Sequence, residues 1–404
     1  MHSFAPCFPR LQSLLLFVGL LGLGALPAGA QITTLAPPDS VEALGFGESV
    51  DIDGNYAVIG APSEQVCGMQ SGAAYLYERD PEWGQWTPVA RLTPTPCREN
   101  AFFGSAVSLQ DDRVLIGASS EFFAAPQSNA AFVFERRSDS TWTQTAMLTG
   151  DVDIQEGPFG ADLALSGDRA FVSTTGDFQG RFGGSVYVFR YDAETDQWQR
   201  EARLTSDRDL GRGVLGGSLA VDGTRVAVAA STYFARQPGA VHLFERPSTA
   251  SPEWTSTAIL AERDDFFLPL DLHGDQLIVG ESRAESDNSG RATLYNRAPT
   301  GAWRKTAVLR PDRPFADGAF GSAVAIEEDW ALVTGYDEQL RQDVNIDRVV
   351  YTFQRDDEGT WHQRRFIDVG RIDFGAALAL DNGVALISWV PPQGEGLVYS
   401  ITLQ

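Results

Sequence analysis

Apolar and polar positions along this chain change their spacing in short blocks, and one block repeats. After Phe46-Gly47 the pattern alternates through Val50 and Ile52 and breaks at Asp53-Gly54. It then becomes continuously apolar through Ala57-Val58-Ile59, loops, and resumes as Ala74-Tyr75-Leu76-Tyr77. A last block runs from Trp86 to Leu92. Period-two alternation and short apolar runs bounded by turn residues predict four strands.

The block recurs seven times, opening at Phe46-Gly47, Phe103-Gly104, Phe159-Gly160, Leu215-Gly216, Phe266-Phe267, Phe320-Gly321 and Phe374-Gly375. A period of about 54 residues means one supersecondary unit per copy, none able to cover its own faces. The first hairpin turn returns as Asp111-Asp112, Gly167-Asp168, Asp222-Gly223, His273-Gly274, Glu328-Asp329 and Asn382-Gly383, pairs suited to tight turns. The second strand is apolar on both faces in every copy, as in Val114-Leu115-Ile116 and Leu277-Ile278-Val279, so each sheet is covered on both sides. Small residues on the first strand (Ser49, Ala106, Ser218, Ala323, Ala377) suit an axis where sheets converge. The expected fold is all-β, a seven-bladed β-propeller of four-stranded antiparallel blades.

A linear solenoid is the alternative, and the chain ends argue against it. Tryptophan and an apolar residue six positions later mark the fourth strand at Trp86/Leu92, Trp142/Leu148, Trp198/Leu204, Trp254/Leu260, Trp303/Leu309 and Trp361/Ile367. The seventh copy stops at Tyr399 to Gln404, one strand short. Leu35, in Ile32-Thr33-Thr34-Leu35, stands before Phe46 at the spacing that separates Leu92 from Phe103. The N-terminal strand is therefore expected to complete the last blade and close a ring.

Residues 1–30 read as a secretory signal peptide: Arg10, an apolar run from Leu11 to Leu26, and Ala28-Gly29-Ala30 as a cleavage site. Residues 31–404 then form a single propeller domain. With 43% hydrophobic and 21% charged residues the chain is not disordered. Arg10 is the only charged residue of the leader, so 30 basic residues remain against 54 acidic ones. That excess of negative charge opposes nucleic-acid phosphates and anionic membranes. The expectation is a secreted, periplasmic or cell-surface monomer with no nucleic-acid partner and no membrane insertion after cleavage.

Phe46-Gly47, Gly60-Ala61-Pro62, Gly72-Ala73-Ala74-Tyr75-Leu76-Tyr77-Glu78-Arg79 and the strand from Trp86 to Leu92 resemble the FG-GAP repeat of bacterial exported proteins and of the integrin α-chain head. The resemblance runs over roughly residues 32 to 404 and implies adhesion, glycan recognition or an accessory role. It also implies calcium in hairpins of the Asp-x-Asp-x-Asp-Gly type, where hard oxygens converge. Here that hairpin is shortened in all seven copies. Asp51-Ile52-Asp53-Gly54 retains two carboxylates, so neither metal nor cofactor is expected there. Asp343, Asn345 and Asp347 alternate like ligands in another loop, for which a solvated acidic loop and a cation site both stay open.

Catalytic constellations are scarce. His242, His273 and His362 each occupy a repeat column, which gives them a structural or surface reading. Asp51, Asp162 and Asp271 lie on first strands, where paired carboxylates suit acid/base work, or else bind water or cap backbone groups. Cys67 and Cys97 fall on the same end of the blades and are expected to form a disulfide in an exported chain. The loops between second and third strands of blades two to four carry Phe122, Phe123, Phe178, Arg181, Phe182, Tyr233, Phe234 and Arg236. Aromatic and arginine side chains are enriched at binding hot spots, so these are the expected ligand-binding residues, unless the rings seal the blade ends. Two classes remain: a non-catalytic recognition, adhesion or scaffolding module for a glycan or protein, and a polysaccharide-active or ester-cleaving enzyme with a loop-built site.

Overall fold

The computed structural model describes residues 32–38, 42–119, 129–150, 158–175, 183–206, 214–231, 239–246, 253–263, 268–337, 348–369, 373–392 and 394–403. Twenty-eight strands form seven sheets of four, each in antiparallel order. Blade one is Val50–Asp53, Tyr56–Ala61, Ala73–Arg79 and Trp86–Leu92; blade two is Phe103–Gln110, Arg113–Ala118, Ala130–Arg136 and Trp142–Leu148. Blade three is Phe159–Ser166, Arg169–Thr174, Ser185–Asp192 and Gln197–Leu204; blade four is Val214–Asp222, Arg225–Ser231, Gly239–Glu245 and Thr255–Arg263. Blade five is Leu270–His273, Gln276–Glu281, Arg291–Arg297 and Trp303–Leu309; blade six is Val324–Glu327, Trp330–Tyr336, Arg348–Arg355 and Trp361–Ile367. Blade seven is Phe374–Asp381, Val384–Trp389 and Leu397–Thr402, completed by Ile32–Leu35.

Closure follows the predicted register, with Ile32 opposite Ile401 and Leu35 opposite Val398. First strands of consecutive blades touch one another around the whole ring, including blade seven with blade one. The buried side chains divide into seven clusters, each filled from two neighbouring blades. No blade owns a core, which is why the apolar second strands read as covered on both faces.

The recurring Phe-Gly pair has a mechanical reason. The glycines at 47, 104, 160, 216, 321 and 375 all take positive φ, between 74° and 100°. A β-carbon on Gly104 would lie 2.4 Å from the Ala73 carbonyl oxygen, so glycine is required by crowding as well as by φ. That turn drives the preceding ring inward: Phe46, Phe103, Phe159 and Phe374 meet Tyr75, Phe132, Tyr187 and Tyr399 edge-on at 5.5 to 5.6 Å.

Candidate functional site

The eight expected ligand-binding residues (Phe122 and Phe123, Phe178, Arg181 and Phe182, Tyr233, Phe234 and Arg236) lie outside the described residues, as do Asp343, Asn345 and Asp347 and the leader. What is described at that end of the blades is its framework. Cys67 and Cys97 form a disulfide with Cα atoms 6.2 Å apart, tying the second-to-third loop of blade one to the connection into blade two. Beneath it Glu64 is buried: Tyr75 donates its hydroxyl to Oε2 at 2.6 Å, and the Arg91 guanidinium pairs with Oε1. Burial, reinforced by the Glu64 carboxylate, holds the Tyr75 phenol well above its ordinary range. This network anchors a loop and leaves no nucleophile beside a base.

The first-strand carboxylates are committed to the backbone. Asp51 Oδ1 accepts from the Ile52 amide at 2.9 Å and Oδ2 from Leu109, on blade two, at 2.7 Å. Asp162 does the same with Leu163 and with Leu219 on blade four, and Asp271 with Leu272 and with Ile326 on blade six. Each spans one blade boundary. Burial pushes the Asp51 carboxyl up to about 7, the Leu109 and Ile52 amides pull it down, and the Asp271 charge adds to the rise. Burial likewise raises Asp162 and Asp271 to about 6 against the pull of their two amides. Of the roles open in the sequence, backbone capping is the one the geometry displays.

A second ring of bonds, which the sequence reading missed, runs through the first hairpins. The last first-strand residue of each blade offers an acceptor to a turn amide of the next: Gln110 to Gly167 at 2.7 Å, Ser166 to Gly223 at 3.0 Å, and Asp222 to Gly274. Asp53 accepts from the Asp111 amide. Glu327 accepts from both Asn382 and Gly383, at 2.6 and 2.9 Å, and Asp381 closes the circle onto Gly54 at 2.7 Å. Among the described residues only the step from His273 carries no such bond. The signal was present in the sequence as a column of Asp, Gln, Ser, Asp, His, Glu and Asp just before the turn. Asp51 and Asp53, the carboxylates of the calcium-like hairpin, are thus both bound to amides of blade two.

The histidines are scattered. His242 is buried in a third strand, His273 is exposed at a hairpin, and His362 Nε2 meets Asp356 Oδ2 at 2.7 Å on the surface. Among the described residues no group of three His, Cys, Asp or Glu side chains is placed to hold a metal ion. A cavity of about 260 Å³ lies at the hairpin end between blades two and three.

Residues 30–77 and 86–134 match the FG-GAP repeat family, a stretch that runs from the N-terminal strand into the third strand of blade two. No curated protein matches the chain in sequence. Among solved structures, the periplasmic gluconolactonase PpgL of Pseudomonas aeruginosa is similar with a TM-score of 0.50 at 14% identity, over 80% of this chain and 86% of that one. A candidate 6-phosphogluconolactonase from Bacteroides uniformis is similar with a TM-score of 0.50 at 12% identity, over 80% and 85%. At such identity the likeness is one of fold.

Proposed function

Taking the chain as an FG-GAP repeat β-propeller protein, we propose that it is an exported, non-catalytic recognition module that captures a glycan or an extracellular protein through the second-to-third loops at one end of its blades. One observation supports this reading above the others. The recurring carboxylates that suit acid/base work, Asp51, Asp162 and Asp271, each accept two backbone amides and join blades. The residues that vary most between copies are then those of the loops, where sequence places the aromatic and arginine cluster. The disulfide fits an oxidising compartment outside the cytoplasm, as the leader does.

The test is a screen of the mature domain against glycans and surface proteins, followed by Phe123→Ala and Tyr233→Ala. Both substitutions are expected to leave the melting temperature nearly unchanged and to weaken capture. Strong destabilisation by both, or unaffected capture, would assign the rings to sealing the blade ends. The rival reading, an ester- or lactone-cleaving enzyme, is tested on the same preparation with gluconolactones: turnover above the spontaneous rate would replace the recognition reading, since fold likeness alone transfers no chemistry.

A further inference from the structure

One repeat column is broken at two boundaries between blades, at Tyr191 and at Leu403, and a cavity lies at the first of them. The third strand ends in arginine in four copies, at Arg79, Arg136, Arg297 and Arg355, and is followed directly by Arg246 in a fifth. Four of these side chains reach the preceding blade: Arg79 meets Thr402 at 3.5 Å, Arg136 lies over the Tyr56 ring at 5.0 Å, Arg246 pairs with Glu201 at 3.4 Å and Arg297 pairs with Glu245 at 2.8 Å, while Arg355 pairs with Asp329 of its own blade. In blade three the position is Tyr191, and the contact is reversed. Arg113 of blade two lies on the Tyr191 ring at 4.3 Å and pairs with Glu135 at 2.9 Å. With the long third-strand arginine missing, the space between the two blades stays open as the 260 Å³ cavity.

The chemistry of its wall is specific. Its two guanidinium groups are already matched, Arg113 by Glu135 and Arg136 by Asp112 at 3.7 Å, so the site offers no free positive charge to an anion. Gln110 accepts the Gly167 amide through its oxygen at 2.7 Å, which leaves its Nε2 hydrogens as donors. The Asp111 carboxylate takes neither a hydrogen bond nor a cation among the described residues, and Asp111 sits at φ 52°, which sets it at the turn beside Gln110. A pair of amide donors beside a free carboxylate suits groups that both accept and donate, namely hydroxyls. A cation would meet the amide donors and Arg136, and an anion would meet Asp111. The volume lies just under the roughly 300 Å³ at which drug-sized pockets begin, enough for one sugar ring.

We propose that the cavity between blades two and three binds one pyranose ring of a neutral saccharide, with Asp111 accepting its hydroxyl protons and Gln110 Nε2 donating to its oxygens. This site is at the opposite end of the blades from the loops of the proposed function, and either can fail without the other.

The experiment titrates glucose, galactose, mannose and xylose into the mature protein, with glucosamine and glucuronate as charged controls, by saturation-transfer NMR and calorimetry. At least one neutral sugar is expected to bind with a millimolar Kd, as suits a few hydrogen bonds on an open wall. Asp111→Asn tolerates the left-handed backbone, replaces one of the two carboxylate acceptors with a donor and removes the charge. Asp112→Phe fills the cavity from an exposed position and serves as the second variant if Asp111→Asn does not fold. Each is expected to weaken binding at least about tenfold, or about 1.4 kcal/mol, with the melting temperature retained. The proposal is overturned if no neutral sugar saturates, if only glucosamine or glucuronate binds, or if neither variant weakens binding.

Discussion

Ring closure rests on a strand of four residues, and the structure sets what its loss should cost. Leu35 is 1% exposed and packs with Phe46, Tyr77 and Val398 between blades seven and one. One residue on, the Ala36 carbonyl accepts the Tyr77 hydroxyl at 2.5 Å. Ile32, at the other end of the same strand, is 41% exposed. Truncating a buried leucine costs about 2 to 5 kcal/mol, and Leu35 belongs in the middle of that range because rigid strands on both sides limit collapse into the void. Against a total stability on the order of 10 kcal/mol, Leu35→Ala should lower the urea midpoint by about a third. Ile32→Ala should cost under about 1 kcal/mol, since much of its side chain is already wet. Deleting Ile32 to Ala36 does more: it bares Val398 and Ile401 along an unpaired edge and leaves the Tyr77 hydroxyl without its acceptor. That variant should lose its single cooperative transition or associate through the edge. Equilibrium urea unfolding followed by tryptophan fluorescence, with sedimentation at several concentrations, reads all three. Equal costs for Leu35→Ala and Ile32→Ala, or a deletion variant that unfolds at the parent midpoint as a monomer, would refute closure by this strand.

The axial carboxylates give the protein an acid-favouring stability profile. The native values of Asp51, Asp162 and Asp271 stand above the unfolded value of 3.8, so the stability they confer is present below it and is lost as pH climbs through 6 to 7. A loss on the order of 3 kcal/mol after solvent screening should appear as a falling melting temperature between pH 5 and about 8, and a rising one would sink the assignment. Reducing the Cys67–Cys97 bridge, whose partners are 30 residues apart, should cost roughly 3 to 4 kcal/mol by chain entropy; native mass spectrometry showing two free thiols would contradict the bond itself. In the hairpin ring, Asp381→Ala and Asp222→Ala should each cost about 1 to 2 kcal/mol in denaturant, with Asp381→Asn recovering most of the loss. No difference between Ala and Asn at 381 would mean that the Gly54 amide does not depend on that acceptor.

The fold was legible because its determinants are local and repeated. Each Phe-Gly pair announces a buried ring behind a positive-φ turn, and each tryptophan with its later leucine marks an outer strand. Leu35 stands in register with Leu92 in the sequence itself, because closing the ring requires the same side chain at the same boundary. The bonds between blades were harder to see. Asp53 and Asp381 look like hairpin ligands when each hairpin is read alone, and their partners are amides of other copies, 58 residues ahead of Asp53 and 327 behind Asp381 in the chain. A backbone amide carries no letter in the sequence, so an acceptor aimed at one looks unpaired.

The same distinction explains why the sequence speaks more clearly of architecture than of ligand. A blade boundary needs an apolar side chain, a glycine without a β-carbon and an acceptor for a turn amide, and the chain repeats that set in most of its copies. A binding site needs the opposite, a place where one copy departs from the others. Tyr191 is such a departure: it stands where five copies have arginine, and a cavity lies beside it. The cluster from Phe122 to Arg236 is another, spread over three loops that share no pattern. In a repeat protein the consensus is selected by packing, which every copy must satisfy, while recognition is confined to positions that packing releases. The residues to substitute first are therefore those that break their column, since a change there alters the fold least and the ligand most.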